Sequence, residues 1–169
     1  MKDMPDKLTE IPTKLTGSFI RHFLKDRYKK TLKQMRRGKA ELPEGTARAR
    51  VVIFHGYSKH SDTPDMQKFR HALQHKGECD VFYCDLPYHG LSVPKGKEHL
   101  RGKIKFFRRL VEAVYGMTLE VLARPYVHPI PVVLVGHSTG ALAIVRFLEE
   151  NPALQKYPIR VHLISCPFR

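Results

Sequence analysis

Apolar positions along the chain fall into short β-branched runs separated by stretches of helical spacing. Val51-Val52-Ile53-Phe54, Val81 to Cys84 and Val132 to Val135 are apolar without alternation, as in strands covered on both faces, and Arg160 to Cys166 reads as a last strand. Thr63-Pro64 opens a helix, a cap followed by proline at the first position, with Met66, Phe69 and Leu73 on one face and Gly77 closing it. A second helix spans Ile104 to Ala123, with Phe107, Val111 and Val114 at helical spacing, and a third spans Ala141 to Glu150, closed by Asn151-Pro152. Four strands alternating with three helices predict an α/β fold, a mostly parallel sheet with helices on both faces and right-handed crossovers. Function in such sheets lies at the carboxyl ends of the strands. Three of those ends carry informative loops: His55 to Ser58, Asp85 to Ser92 and Gly136 to Gly140.

The third loop is the most informative. Gly136-His137-Ser138-Thr139-Gly140 is G-x-S-x-G, set between the Val132–Val135 strand and the helix that follows. A serine on a tight strand-to-helix turn sits in a strained conformation, and the close approach around it leaves no room for a Cβ at either second neighbour. The turn lifts the hydroxyl above the sheet, and the helix start aims backbone N–H groups at an oxyanion beside it. Ser138 is therefore the candidate nucleophile, and His137 shapes the turn.

Charge adds a second theme. The 169 residues carry a net charge of +14, unevenly placed. Residues 1–50 hold fourteen Lys/Arg against six Asp/Glu, and residues 95–109 hold seven against one. Two basic patches on an otherwise neutral domain suit an anionic membrane surface or, equally, a solvated charged face. No nucleic-acid motif or interleaving of aromatic and basic residues accompanies them, so nucleic acid is not an expected partner. Residues 1–45 form a basic N-terminal segment. Ser18 to Gly38 reads either as an amphipathic helix, with Phe19, Phe23, Leu24, Leu32 and Met35 mostly on one face, or as a β-hairpin of Phe19–Leu24 with Thr31–Arg36. The basic residues 21–39 and 95–109 are the expected membrane contacts. Residues 46–169 are the α/β core.

Cys79, Cys84 and Cys166 make an odd count with no paired spacing, which suits reduced thiols and neither a disulfide framework nor a zinc site. Cys84 and Cys166 fall in predicted strands and read as small buried apolar groups. No apolar run reaches the length of a membrane span, and the opening residues do not read as a signal peptide. The expectation is a cytoplasmic protein, peripheral at membranes if the basic patches act there. No cofactor or metal is expected.

The three loops together resemble the α/β-hydrolase superfamily, in its monoacylglycerol lipase, lysophospholipase and serine aminopeptidase-like branch. The resemblance runs from about Val51 to Phe168, the amino-terminal part of such a domain. The family's H-G after its third strand is similar to His55-Gly56. Its D-x-x-G-H-G-x-S is similar to Asp85-Leu86-Pro87-Tyr88-His89-Gly90-Leu91-Ser92, departing at Tyr88, where the family has glycine. Its G-H-S-x-G elbow matches Gly136 to Gly140. The resemblance implies Ser138 as nucleophile and an oxyanion hole from the backbone N–H groups of Tyr57 and Thr139. It implies supporting roles for His55, Gly56, Gly136, His137 and Gly140. It also implies a lipid ester substrate, a monoacylglycerol or lysophospholipid, cleaved through an acyl-serine.

A serine nucleophile needs a base, and the base an orienting acid. In this family both follow the elbow in the order Ser, Asp/Glu, His. Here one histidine follows Ser138: His162, inside the last predicted strand between Val161 and Leu163. His55 and His89 lie in loops near the site and are the other candidate bases. Glu149 and Glu150 close the elbow helix, far from its active end. The expectation is thus a partial hydrolase domain, whose sequence continues into the acid and the histidine or whose fold is completed by another chain or segment. The alternative is a catalytically impaired pseudoenzyme that binds anionic membrane surfaces.

Overall fold

The computed structural model describes residues 36–37, 46–57, 59–93, 95–96, 107–124 and 130–166. They form one five-stranded sheet flanked by three α-helices. The strands are β1 (Arg36–Arg37), β2 (Ala49–Phe54), β3 (Cys79–Tyr83), β4 (Val132–His137) and β5 (Ile159–Ile164). The helices are α1 (Pro64–His75), α2 (Phe107–Leu122) and α3 (Thr139–Glu150). The order across the sheet is β1-β3-β2-β4-β5; β1 is antiparallel to β3 and the other neighbours are parallel. The predicted sheet with helices on both faces is the sheet observed.

Parity decides which residues meet which helix, because successive side chains of a strand point to opposite faces. Val52 and Phe54 of β2, Phe82 of β3 and Val132 and Leu134 of β4 join α2 and α3 in the larger core, with Tyr115 and Phe147 edge to face at 5.9 Å between centroids. On the other face Val51, Ile53, Val81 and Val135 pack with Met66, Phe69 and Leu73 of α1. That layer is thinner: no residue of α1 is fully buried, whereas α2 buries most of its length. Among the described residues β5 pairs only with β4, and its Leu163 and Ile164 are 38% and 42% exposed.

Strands β2 and β3 start two residues before their apolar runs. Their second residues are Arg50 and Asp80, which are register partners and are both buried. The Arg50 guanidinium donates to the Val121 carbonyl at the carboxyl end of α2, 2.7 Å away. A charged group in a strand interrupts the apolar pattern without interrupting the ladder. β3 ends at Tyr83 and β5 at Ile164, so Cys84 and Cys166 lie just past the strands predicted to contain them. Cys84 is buried, but Cys166 is only partly so.

Of the two readings of the N-terminal segment, a helix running to Gly38 fails at Arg36–Arg37, which are strand. They pair with Tyr83 and Phe82 of β3, where backbone groups at the sheet edge offer partners that a helix end does not. The rest of that segment and most of 95–109 lie outside the described residues.

Candidate active site

Ser138 stands between β4 and α3 with φ 52° and ψ −115°. That is a conformation that costs a non-glycine residue on the order of 1–3 kcal/mol and persists only where the surroundings over-determine it. The surroundings do so from three sides. The Ser138 N–H donates to the Ile164 carbonyl at the end of β5, 2.9 Å away, and its carbonyl accepts from the Leu142 N–H. A Cβ on Gly136 would stand 2.6 Å from the Ala141 Cα. A Cβ on Gly140 would collide with the carbonyl oxygens of Phe54 and His55, the latter at 2.7 Å. Both glycines are thus needed for α3 to start hard against the ends of β2 and β4. The Ser138 side chain makes no capping hydrogen bond to α3.

The loop after β2 closes on the serine. A Cβ on Gly56 would be 2.6 Å from His137 Nδ1 and 3.2 Å from the Ser138 Cβ, so the backbone of Gly56 lies directly against the elbow. Tyr57 follows it, 49% exposed. Thr139 is the first residue of α3, where N–H groups have no intrahelical acceptor. Among the described residues, neither the Tyr57 nor the Thr139 N–H is taken up by a loop or turn carbonyl. This arrangement leaves donors and a hydroxyl on the same rim of the sheet.

His55 is buried and fully engaged. Its Nε2 accepts from the Leu86 N–H at 2.8 Å, which places the proton on Nδ1, 2.9 Å from the Gly56 carbonyl it donates to. Burial lowers its pKa to about 4, the Gly56 hydrogen bond opposing that shift and nearby His89 adding to it. A ring with its lone pair already committed is a brace between two loops and cannot serve as a base in place. His89 is buried beside it, edge to face at 5.1 Å, with Nδ1 donating to the Pro87 carbonyl. Its Nε2 has no partner among the described residues. His162 is exposed within β5. None of the described histidines hydrogen-bonds the Ser138 hydroxyl.

The motif after β3 proves to be a latch. The buried Asp85 carboxylate accepts from both the N–H and the hydroxyl of Ser61, each at 2.7 Å. Gly90, at φ 45°, packs its Cα on that carboxylate, where a Cβ would collide. The Ser92 hydroxyl donates to the carbonyl of Leu86, and its oxygen accepts from the His89 N–H at 3.1 Å, closing the turn. Arg70 of α1 ties the same region down, donating to the Ser61 carbonyl and lying 3.8 Å over the Tyr83 ring. Ser61 and Arg70 carry no signal in the sequence; only the pairing of two strand-end loops makes them partners. Tyr88 takes φ 65°, the left-handed region that favours glycine. The tyrosine in glycine's place bears that strain while its hydroxyl bonds to Arg109 of α2.

Residues 45–167 match the family described as Serine aminopeptidase, S33 (Hydrolase_4). No curated protein matches the chain. Among solved structures, Est1E from Butyrivibrio proteoclasticus with ferulic acid bound is similar, with TM-score 0.54 and 14% identity over 70% of this chain and 44% of that one. Mouse alpha/beta hydrolase domain-containing protein 10 gives 0.52 and 16%, over 78% of this chain and 44% of that one. Dienelactone hydrolase from Anabaena variabilis gives 0.54 and 17%, over 77% and 63%. At such identities the likeness shows the fold alone, and the chain spans from 44% to 63% of these structures' lengths. No helix among the described residues is long and apolar enough to cross a membrane. With an elbow, a glycine loop against it and the matching family over 45–167, the chain belongs to the serine aminopeptidase S33 family of the α/β-hydrolase superfamily.

Proposed function

We propose that this chain carries the nucleophile and oxyanion donors of a serine hydrolase that cleaves a lipid ester, a monoacylglycerol or lysophospholipid, through an acyl-serine intermediate. The observation that carries the reading is the Ser138 backbone, held at φ 52° and ψ −115° with its side chain left out of the helix cap. A serine kept only to start a helix would spend its hydroxyl on the first turn and avoid the strain. In the reaction, Ser138 Oγ attacks the ester carbonyl carbon and gives its proton to a base. The carbonyl oxygen becomes an oxyanion facing the N–H groups of Tyr57 and Thr139, each donor worth about 3 kcal/mol in the transition state. The C–O bond to the alcohol then breaks, the alcohol takes the proton, and water releases the acid from Ser138. His55 braces the Gly56 loop, and Gly136, His137 and Gly140 shape the elbow. The base is a group that the described residues do not bring to Ser138. The lipid assignment is supported by the three loop motifs and by the basic residues at 21–39 and 95–109, which suit an anionic lipid interface.

A second reading, an impaired module whose role is to bind anionic membrane surfaces, is favoured by the commitment of both His55 nitrogens. One experiment separates the two. A fluorophosphonate probe should label the chain slowly, and Ser138→Ala should abolish the label. Equal labelling of wild type and Ser138→Ala rejects the nucleophile, and no labelling of wild type favours the second reading.

A further inference from the structure

Helix α1 carries two histidines that the elbow does not use. His71 and His75 are one helical turn apart, so their side chains share a face. Both are exposed, while Met66, Phe69 and Leu73 take the face that packs on the sheet. Their rings lie 4.0 Å apart between centroids and are tilted by 34°. Two imidazoles at this spacing on one helix face are a chelating pair, and imidazole suits zinc, copper and nickel.

We propose that His71 and His75 form a two-imidazole site for a divalent transition-metal ion. An ion bound tetrahedrally to one nitrogen of each ring holds the ring centroids about 5 Å apart. The pair stands about 1 Å closer, and small rotations of two exposed side chains open that gap without moving the helix. Position favours a cation here as well. His75 lies in the last turn of α1, at the negative end of the helix dipole. Lys68, one turn before His71, and Lys76, next to His75, oppose it, but both are exposed on long stems that can turn the ammonium away. Among the described residues no group of three or more His, Cys, Asp or Glu could hold a metal, so water fills the other positions and the ion exchanges. Its effect is local. It clamps the final turn of α1, just ahead of Gly77 and the entry to β3, and stabilises the folded chain by mass action.

The test is calorimetric titration of the full chain with Zn2+ alone, under reducing conditions, alongside thermal melts. The expected result is one saturable class of sites and a melting midpoint that rises with zinc. His71→Asn and His75→Asn, both polar replacements on an exposed helix face, should each weaken binding by about tenfold or more. His162→Asn and Cys166→Ser should bind as wild type. The proposal is overturned if wild type fails to saturate by about millimolar zinc. It is equally overturned if either α1 variant binds as wild type, or if a control variant abolishes binding.

Discussion

Strands β4 and β5 run side by side, parallel and in register from Val132↔Ile159 to His137↔Ile164. Each is six residues long, and each has apolar residues and one histidine. Yet β4 is largely buried, and β5 is exposed along most of its length. The difference is topological: β4 has β2 on one side and helices over both faces, whereas β5 has one strand neighbour among the described residues. Composition says that a segment can be buried, and position in the sheet decides whether it is. The elbow is built on the strand that is held from every side. The edge strand still contributes one backbone bond, from Ser138 N–H to the Ile164 carbonyl.

If that contrast is right, stability should be concentrated around β4. The largest effect is expected for Phe147→Ala on α3, which empties a fully buried site against Tyr115 and should cost about 3–5 kcal/mol by urea denaturation. A loss under about 1 kcal/mol would mean that the β4–α3 core is loosely packed. Next is acid sensitivity from His55, which braces the loop beside the elbow. Its folded pKa of about 4 lies below the ordinary 6.5, so the unfolded chain takes up the proton first as pH falls. Its contribution is full above pH 6.5 and lost as pH falls through 4, for about 3 kcal/mol in all. His55→Gln should be less stable at neutral pH and lack this part of the slope; an identical slope would assign the acid sensitivity elsewhere. The smallest effect is expected at the edge. Leu163→Lys should change stability by no more than about 0.5 kcal/mol. A cost above about 1.5 kcal/mol would show that β5 is covered in solution and would erase the contrast.

Much of this arrangement was legible in the sequence, for definite reasons. The Val132–Val135 run, the two glycines around Ser138 and Thr63-Pro64 are local signals, and each produced the predicted local structure. What stayed hidden was pairing. Arg50 and Asp80 masked the starts of β2 and β3 because a buried charge reads as a surface residue until its register partner is known. Ser61 looked like an ordinary loop residue until Asp85 met it across two strand ends. The commitment of the His55 Nε2 depends on Leu86, thirty-one positions away. Tyr88 was visible as a departure from the family's glycine, but the left-handed backbone it must adopt was not.

The strand order sets a schedule for the growing chain. β2 and β3 are linked through α1 and can pair soon after both leave the ribosome. The other edge of β2 must wait for β4, roughly 80 residues later, about 4–16 s at ordinary rates of synthesis. Through that interval a hydrophobic half-sheet stands open on the side where the nucleophile will later be mounted. Its vulnerability to mispairing is therefore set by translation speed and by chaperones that occupy the β2 edge, before any property of the finished fold applies.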